Sequence, residues 1–218
     1  MTDPLRLEQV LPKGLAEAVS ALPNWFVIGG QAVRCFCPYR PTQDVDFGVN
    51  NPRDLEAMLA LLAKCGPLDI LEKTAGAAHV TWKCVDVSIF VLELLKPHTE
   101  EHRLTVTGIL ATKLHAIVDR GVRRDFFDLY VMLQDRRLGI AECLSALRTV
   151  YSQPVPETLL LRALTFFDDA DREAALPGEG REDWTMVKDY FLTQVGNMLV
   201  PPGRRLSIQD RRVDVLPA

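Results

Sequence analysis

Two aspartates separated by a single residue, Asp44 and Asp46, stand in a segment of alternating character that runs to Val49. Such alternation reads as a strand, and residues two apart on a strand project to one face. Side by side their carboxylates repel, and burying them costs several kcal/mol unless a cation compensates. Mg²⁺, or Mn²⁺ in its place, is the natural compensation: it takes oxygen ligands and needs only one or two protein carboxylates when phosphate and water supply the rest. A third carboxylate, Asp86, lies within Cys84-Val85-Asp86-Val87-Ser88-Ile89-Phe90, an apolar strand in which a lone acid asks for a partner. Carboxylates on two strands are what an in-line displacement at phosphorus between two metal ions requires, because the attacking and leaving oxygens must both be stabilised.

Gly29-Gly30 closes the apolar run Trp25-Phe26-Val27-Ile28 and leads into a short helix. Two glycines let the backbone approach a ligand closely and leave N–H groups free for phosphate oxygens. Taken singly, a plain strand-to-helix turn and a surface Asp-x-Asp are the simpler readings. Their combination favours chemistry. Thirteen residues separate Gly30 from Asp44, a separate strand brings Asp86, and Arg40 sits four residues before Asp44.

A second charged segment follows. On a helix Lys113, Ile117 and Arg120 share a face, so Lys113 could reach a triphosphate. Arg120, Arg123 and Arg124 cluster at the Gly121 break, and Asp125 and Asp128, three apart, could orient Lys113 or an arginine. The alternative is a solvated charged turn in which Asp128 pairs with Arg124, and pattern alone leaves the two open. His98 and His102 are four apart, but Pro97 and glutamates surround them and they read as solvated surface. Trp25, Trp82, Phe166-Phe167 and Tyr190-Phe191 read as packing, and Arg204-Arg205 and Arg211-Arg212 as a solvated tail.

The elements that must position these residues change character along the chain. Leu5 to Leu22 reads as one amphipathic helix stopped by Pro23, and Gln31 to Cys37 as one or two helical turns ended by Pro38. Asn51-Pro52 opens a helix with Leu55, Met58, Leu59 and Leu62 on its apolar side. Leu68 to Lys73, His79 to Trp82 and Val85 to Leu92 read as strands, the last two either continuous or a pair. After Pro97 the pattern predicts helices over Thr107 to Arg120, Arg123 to Gln134, Ile140 to Thr149, Pro156 to Phe167 and Glu182 to Leu199. The expectation is an α+β fold: a mixed β-sheet with flanking helices over 1–96, a helical region over 97–200 that completes the site, and a polar tail over 201–218.

Composition bounds the rest. A net charge of −4 excludes a wholesale nucleic-acid coat, though a local basic patch remains compatible with it. There is no run of 18 apolar residues, and Met1-Thr2-Asp3-Pro4-Leu5 lacks a basic segment followed by an apolar one, so the expectation is a cytoplasmic protein without a membrane span. Cys35, Cys37, Cys65, Cys84 and Cys143 fit neither a disulfide framework nor a zinc site and read as reduced packing residues.

Val27-Ile28-Gly29-Gly30-Gln31-Ala32-Val33 with Arg40-Pro41-Thr42-Gln43-Asp44-Val45-Asp46-Phe47 resembles the first motif of the DNA polymerase β superfamily. The Gly-Gly and R-x-T-x-D-h-D forms are similar to the AbiEii/AbiGii toxin branch of that superfamily. Thr112-Lys113-Leu114-His115-Ala116 and the segment from Asp119 to Tyr130 resemble that branch's later motifs, K-x-x-A and R-x-x-x-R-D-h-x-D-L. The resemblance implies NMP transfer from an NTP to a hydroxyl on tRNA or protein, metal dependence, and a small antitoxin partner. It implies Asp44, Asp46 and Asp86 as metal ligands, Asp86 alternatively as base, with Lys113 and Asp125 also catalytic. It implies nucleotide contacts from Gly29, Gly30, Arg40, Thr42, Lys113, Arg120, Arg124 and Asp128. A small-molecule nucleotidyltransferase of the antibiotic-modifying kind, with Glu93, Asp125 and Asp128 as an acidic pocket, and a non-catalytic nucleotide-binding relative are the competing readings.

Overall fold

The computed structural model describes residues 3–42, 44–152 and 155–199, so both arginine pairs of the tail lie outside the described residues. The first expected helix is two, α1 (Leu7–Val10) and α2 (Leu15–Val19). Pro12 and a left-handed Gly14 (φ 85°) interrupt the amphipathic pattern, which periodicity alone does not register. Next come β1 (Trp25–Val27), α3 (Gly29–Arg34) and β2 (Val45–Val49). Asn51 then caps α4 (Pro52–Cys65) by accepting from the N–H groups of Arg53 and Asp54, with Pro52 at the first helical position.

Leu68–Lys73 forms β3, Ala77–Trp82 β4 and Val85–Val91 β5. β4 and β5 are an antiparallel pair, turned by Lys83 and Cys84 at φ 48° and 64°. The sheet also runs past Pro97. A 3₁₀ turn over Glu93–His98 precedes β6 (Thr99–Glu100) and β7 (Arg103–Leu104), two strands too short to leave a periodic signal. The helical half comprises α5 (Val106–Asp119), α6 (Arg123–Arg136), α7 (Ile140–Tyr151), α8 (Glu157–Ala163), α9 (Asp168–Asp171) and α10 (Asp183–Leu199).

The seven strands form one mixed sheet in the order β3-β4-β5-β2-β1-β7-β6, with β2/β5 and β1/β7 parallel. The α+β architecture with a helical second half is therefore the one expected. Strand alternation divides the sheet into two faces. Val45, Phe47, Val49, Val80, Trp82, Val87 and Ile89 are buried on one face. α4 packs there, and the Trp82 indole N–H donates to the Leu62 carbonyl at 2.9 Å. Asp46, Ser88, His79, Thr81 and Asp86 alternate onto the other face, which is where the site lies.

Several packing expectations are refined. Cys35, Cys37 and Cys143 are buried, but Cys65 and Cys84 are exposed at the end of α4 and in the β4–β5 turn. Phe166 is exposed, whereas Phe167, Phe191 and Trp184 pack around Phe126. His98 and His102 do not share a helix. His102 stacks on Trp25 at 4.4 Å between ring centroids, and its Nδ1 meets the Trp25 carbonyl at 2.8 Å. Among the described residues no helix is long and apolar enough to cross a membrane.

Candidate active site

β1 and β2 run side by side, so the turn after β1 and the start of β2 meet at one end of the sheet. Ile28 donates its N–H to the Asp46 carbonyl at 2.9 Å, which brings Gly29 beneath the Asp46 side chain. Gly29 has φ +61°, and a Cβ there would overlap the Asp46 carboxylate. A side chain is thus excluded twice, by backbone conformation and by space. At Gly30 a Cβ would meet Thr42 Oγ1 at 3.1 Å and an Arg40 guanidinium nitrogen at 3.2 Å. The two glycines therefore let protein side chains close in, a cause that the motif alone does not reveal. Gln31, buried at the start of α3, holds the intervening loop: its amide donates to the carbonyls of Thr42 and Asp44, each at 3.3 Å.

Asp46 is half-buried and Asp44 exposed. Burial pushes the Asp46 carboxyl above the usual carboxylate range, and neighbouring Asp44 adds to this; Lys113, Arg124 and Arg120 pull the other way. Three cations of the helical half therefore act on this carboxylate through their charge. Asp86 stands apart from the expectation that burial drives it to a cation: it is exposed and accepts from Thr81 Oγ1 at 3.0 Å. Val45 pairs with Val87, so Asp44, in the bend just before β2, and Asp86, on β5, lie at the same end of these two parallel strands.

The second charged segment folds into a buried network. Gly121, at φ +55°, reverses the chain between α5 and α6 and sets Lys113 against the first turns of α6. Lys113 Nζ lies 3.2 Å from Asp125 Oδ1 and 2.6 Å from Asp128 Oδ2. Arg120 Nε donates to Asp125 Oδ2 at 2.8 Å. Burial raises the Asp125 carboxyl, but Lys113 and Arg120 outweigh it and hold the group below its ordinary range. Arg40 reaches across from the α3–β2 loop to Asp128, with Nη2 at 3.0 and 3.2 Å from its two oxygens, and also donates to Thr42 Oγ1 at 3.2 Å.

Asp128 therefore pairs with Arg40 and Lys113 rather than Arg124. The expected cluster of three arginines also divides. Arg123 turns away to Glu179 and lies over the Trp184 ring, while Arg120 is committed to Asp125. Arg124 is exposed in the first turn of α6 and has no ion-pair or hydrogen-bond partner among the described residues. Tyr39 was not singled out by any motif. Its hydroxyl donates to Asp128 Oδ1 at 2.5 Å and accepts from Arg40 Nε at 2.9 Å. Burial first, and then the Asp128 charge, push this phenol far above its usual range, so it stays a donor. Its place beside Arg40 was the only available signal.

Among the described residues no group of three His, Cys, Asp or Glu side chains is close enough to hold a metal ion by protein ligands alone. Two carboxylates at one strand end, one of them desolvated, fit a divalent cation that brings phosphate and water as its other ligands. Asp44 and Asp46 are the residues that would hold it.

A family model described as "Nucleotidyl transferase AbiEii toxin, Type IV TA system" matches residues 95–204. The backbone is similar to a crystal structure from H. pylori described as that of a nucleotidyltransferase, with a TM-score of 0.51 over 88% of this chain and 93% of the other. At 16% identity that likeness speaks for the fold. No curated protein matches the chain.

Proposed function

This chain belongs to the AbiEii nucleotidyltransferase toxin family, and on that premise we propose that it transfers NMP from an NTP to a hydroxyl of tRNA or protein, with divalent-metal dependence and release of pyrophosphate. The observation that carries the reading is the setting of Asp46. Its desolvated carboxylate, close against Gly29, lies in the field of Lys113, Arg124 and Arg120. That juxtaposition suits a ligand with positive charge at its core and negative charge around it, which describes a metal–triphosphate.

Asp44 and Asp46 hold Mg²⁺ or Mn²⁺, with Asp86 assisting from the adjacent strand as second-metal ligand or base. The bound ion supplies charge stabilisation at the phosphate oxygens. Arg124, free of a carboxylate, meets the triphosphate. Lys113 and Arg120 add positive field while neutralising Asp125 and Asp128, and Arg40 with Thr42 fixes the loop beside Gly30. Catalytic carboxylates thus come from 1–96 and the cations largely from 97–200. The protein acts in the cytoplasm as the toxin of a two-component system with a small antitoxin. The antibiotic-modifying reading needs free acidic groups, but Asp125 and Asp128 already engage three cations, which leaves it the exposed Glu93 alone of the three named.

The test is incubation with each α-labelled NTP, Mg²⁺ or Mn²⁺, and separate pools of tRNA, protein and small molecules. Label should enter the tRNA or protein pool and vanish with Asp46→Asn. Tight NTP binding without label or pyrophosphate release in any pool would instead identify a non-catalytic relative. In cells, expression should slow growth and Asp44→Ala or Asp86→Ala should relieve it; full toxicity in both variants would sink the mechanism.

A further inference from the structure

Asp46 stands between two unlike neighbourhoods. Its strand has β1 on one side and β5 on the other. The β1 side leads to Gly29 and, through α3, to the α5–α6 charge network. The β5 side presents a hydroxyl and a base. Ser88 is the register partner of Asp46, and His79 on β4 is the register partner of Ser88. Adjacent strands lie about 4.8 Å apart, so the three side chains form a row on the open face of the sheet. Ser88 Oγ meets His79 Nδ1 at 2.9 Å. The imidazole is braced edge-to-face against Phe90, 5.5 Å between centroids at 78°. Both members of the pair are half-buried, so neither is sealed from solvent.

In-line displacement places the nucleophile opposite the leaving group. With the triphosphate tail held by the cations on the β1 side, the nucleophile approaches from the β5 side. We infer that Ser88 is a self-nucleotidylation site, with His79 as its base and an NTP as the substrate; this rests on the nucleotidyl-transfer reading. Ser88 Oγ forms a bond to the α-phosphorus as the bond from that phosphorus to the bridging β-phosphate oxygen breaks. Pyrophosphate leaves with the electron pair. The hydroxyl proton passes to His79 Nδ1, in the tautomer that carries its N–H on Nε2. The products are pyrophosphate and a chain bearing a phosphodiester-linked NMP at Ser88. The competing view is that the Ser88–His79 bond only ties β5 to β4.

The experiment incubates the full chain with each α-labelled NTP and Mg²⁺ or Mn²⁺, without acceptor, followed by intact mass and peptide mapping. The expected result is an added NMP on the β5 peptide, absent in Ser88→Ala and kept at position 88 in Ser88→Thr. His79→Gln should slow labelling about a hundredfold, the scale of a lost general base. Parallel reactions supply the tRNA and protein pools, which Ser88→Ala should still label. Labelled pools with an unlabelled chain, or chain labelling that persists in Ser88→Ala, would overturn the inference and leave the proposed function standing. No label on chain or pools, for any NTP, would overturn both.

Discussion

Lys113→Met tests whether the buried charge network is organised as described. The Lys113 side chain is 6% exposed and sits between Asp125 and Asp128, at 0% and 1%. Removing one partner of a buried ion pair costs about 3–5 kcal/mol, because the remaining charge stays buried. Asp125 keeps Arg120 at 2.8 Å and Asp128 keeps Arg40 at 3.0 Å. The cost should therefore fall at the lower end, about 3 kcal/mol. At this chain length each kcal/mol lowers Tm by about 2–4 °C, so the variant should melt about 6–12 °C lower. Urea titration followed by circular dichroism should show a lower midpoint with an unchanged slope. The double variant Lys113→Met/Asp128→Asn should lose less than the sum of the singles, since it removes the stranded charge as well. A second readout reaches the site. Lys113 is the strongest of the charges that draw the Asp46 carboxyl down, so its removal should move the acid limb of Mg²⁺-dependent NTP binding to higher pH. A single variant within about 0.5 kcal/mol of wild type, the range of inert surface changes, would refute the buried-counterion role.

Gly29→Ala should abolish metal-dependent NTP binding, because the new methyl group displaces the Asp46 carboxylate; Gly30→Ala, whose Cβ would meet Thr42 Oγ1 and Arg40 at 3.1 and 3.2 Å rather than overlap them, needs a shift of only a few tenths of an ångström and should fold and bind more nearly as wild type. Calorimetric titration separates the two, and equal affinity in both would contradict the cradle. Arg124→Ala should leave the melting curve unchanged yet weaken NTP binding tenfold or more, in line with about 1.5–3 kcal/mol for a charged hydrogen bond. Loss of stability without loss of affinity would assign Arg124 a purely structural place. The pH dependence has two opposite signs. Asp46 is raised in the folded chain, so in the metal-free protein its contribution to stability grows as pH falls through its folded pKa, while cation binding is lost over the same interval. Asp125 is lowered, so its contribution is full above the unfolded value of about 3.9 and disappears as pH falls through the folded one. Asp46→Asn should thus raise the metal-free melting temperature at neutral pH while eliminating activity; a lower one would reverse the assigned sign.

The local pattern determined a good deal by itself. Alternation over residues 45–49 and 85–91, Asn51-Pro52 ahead of a 3.6-residue apolar stripe, and the Gly-Gly after a buried run are short-range signals, and strand or helix geometry follows from them directly. The spacing of Asp125 and Asp128 needs only one helix to become a shared face, whereas Asp44 falls in the bend before β2 and not on the strand that carries Asp46. β6 and β7 left no such trace, because two-residue strands exist only through pairing with β1 and each other. Nor does periodicity weigh Pro12 against the apolar pattern around it.

Partner choice among charges was decided by the tertiary structure alone. Sequence proximity pairs Asp128 with Arg124; the fold pairs it with Arg40, 88 residues away, and with Tyr39. It sends Arg123 to Glu179 and leaves Arg124 open. The opening motif changes in the same way. Residue types identify Asp44, Asp46 and Asp86 as carboxylates on strands, but burial separates them: Asp46 is desolvated against Gly29, and Asp86 is exposed beside Thr81. The physical reason is range. Propensity and periodicity act over a few residues, whereas desolvation and ion pairing depend on which distant segments the sheet and the α5–α6 reversal bring within about 4 Å of each other.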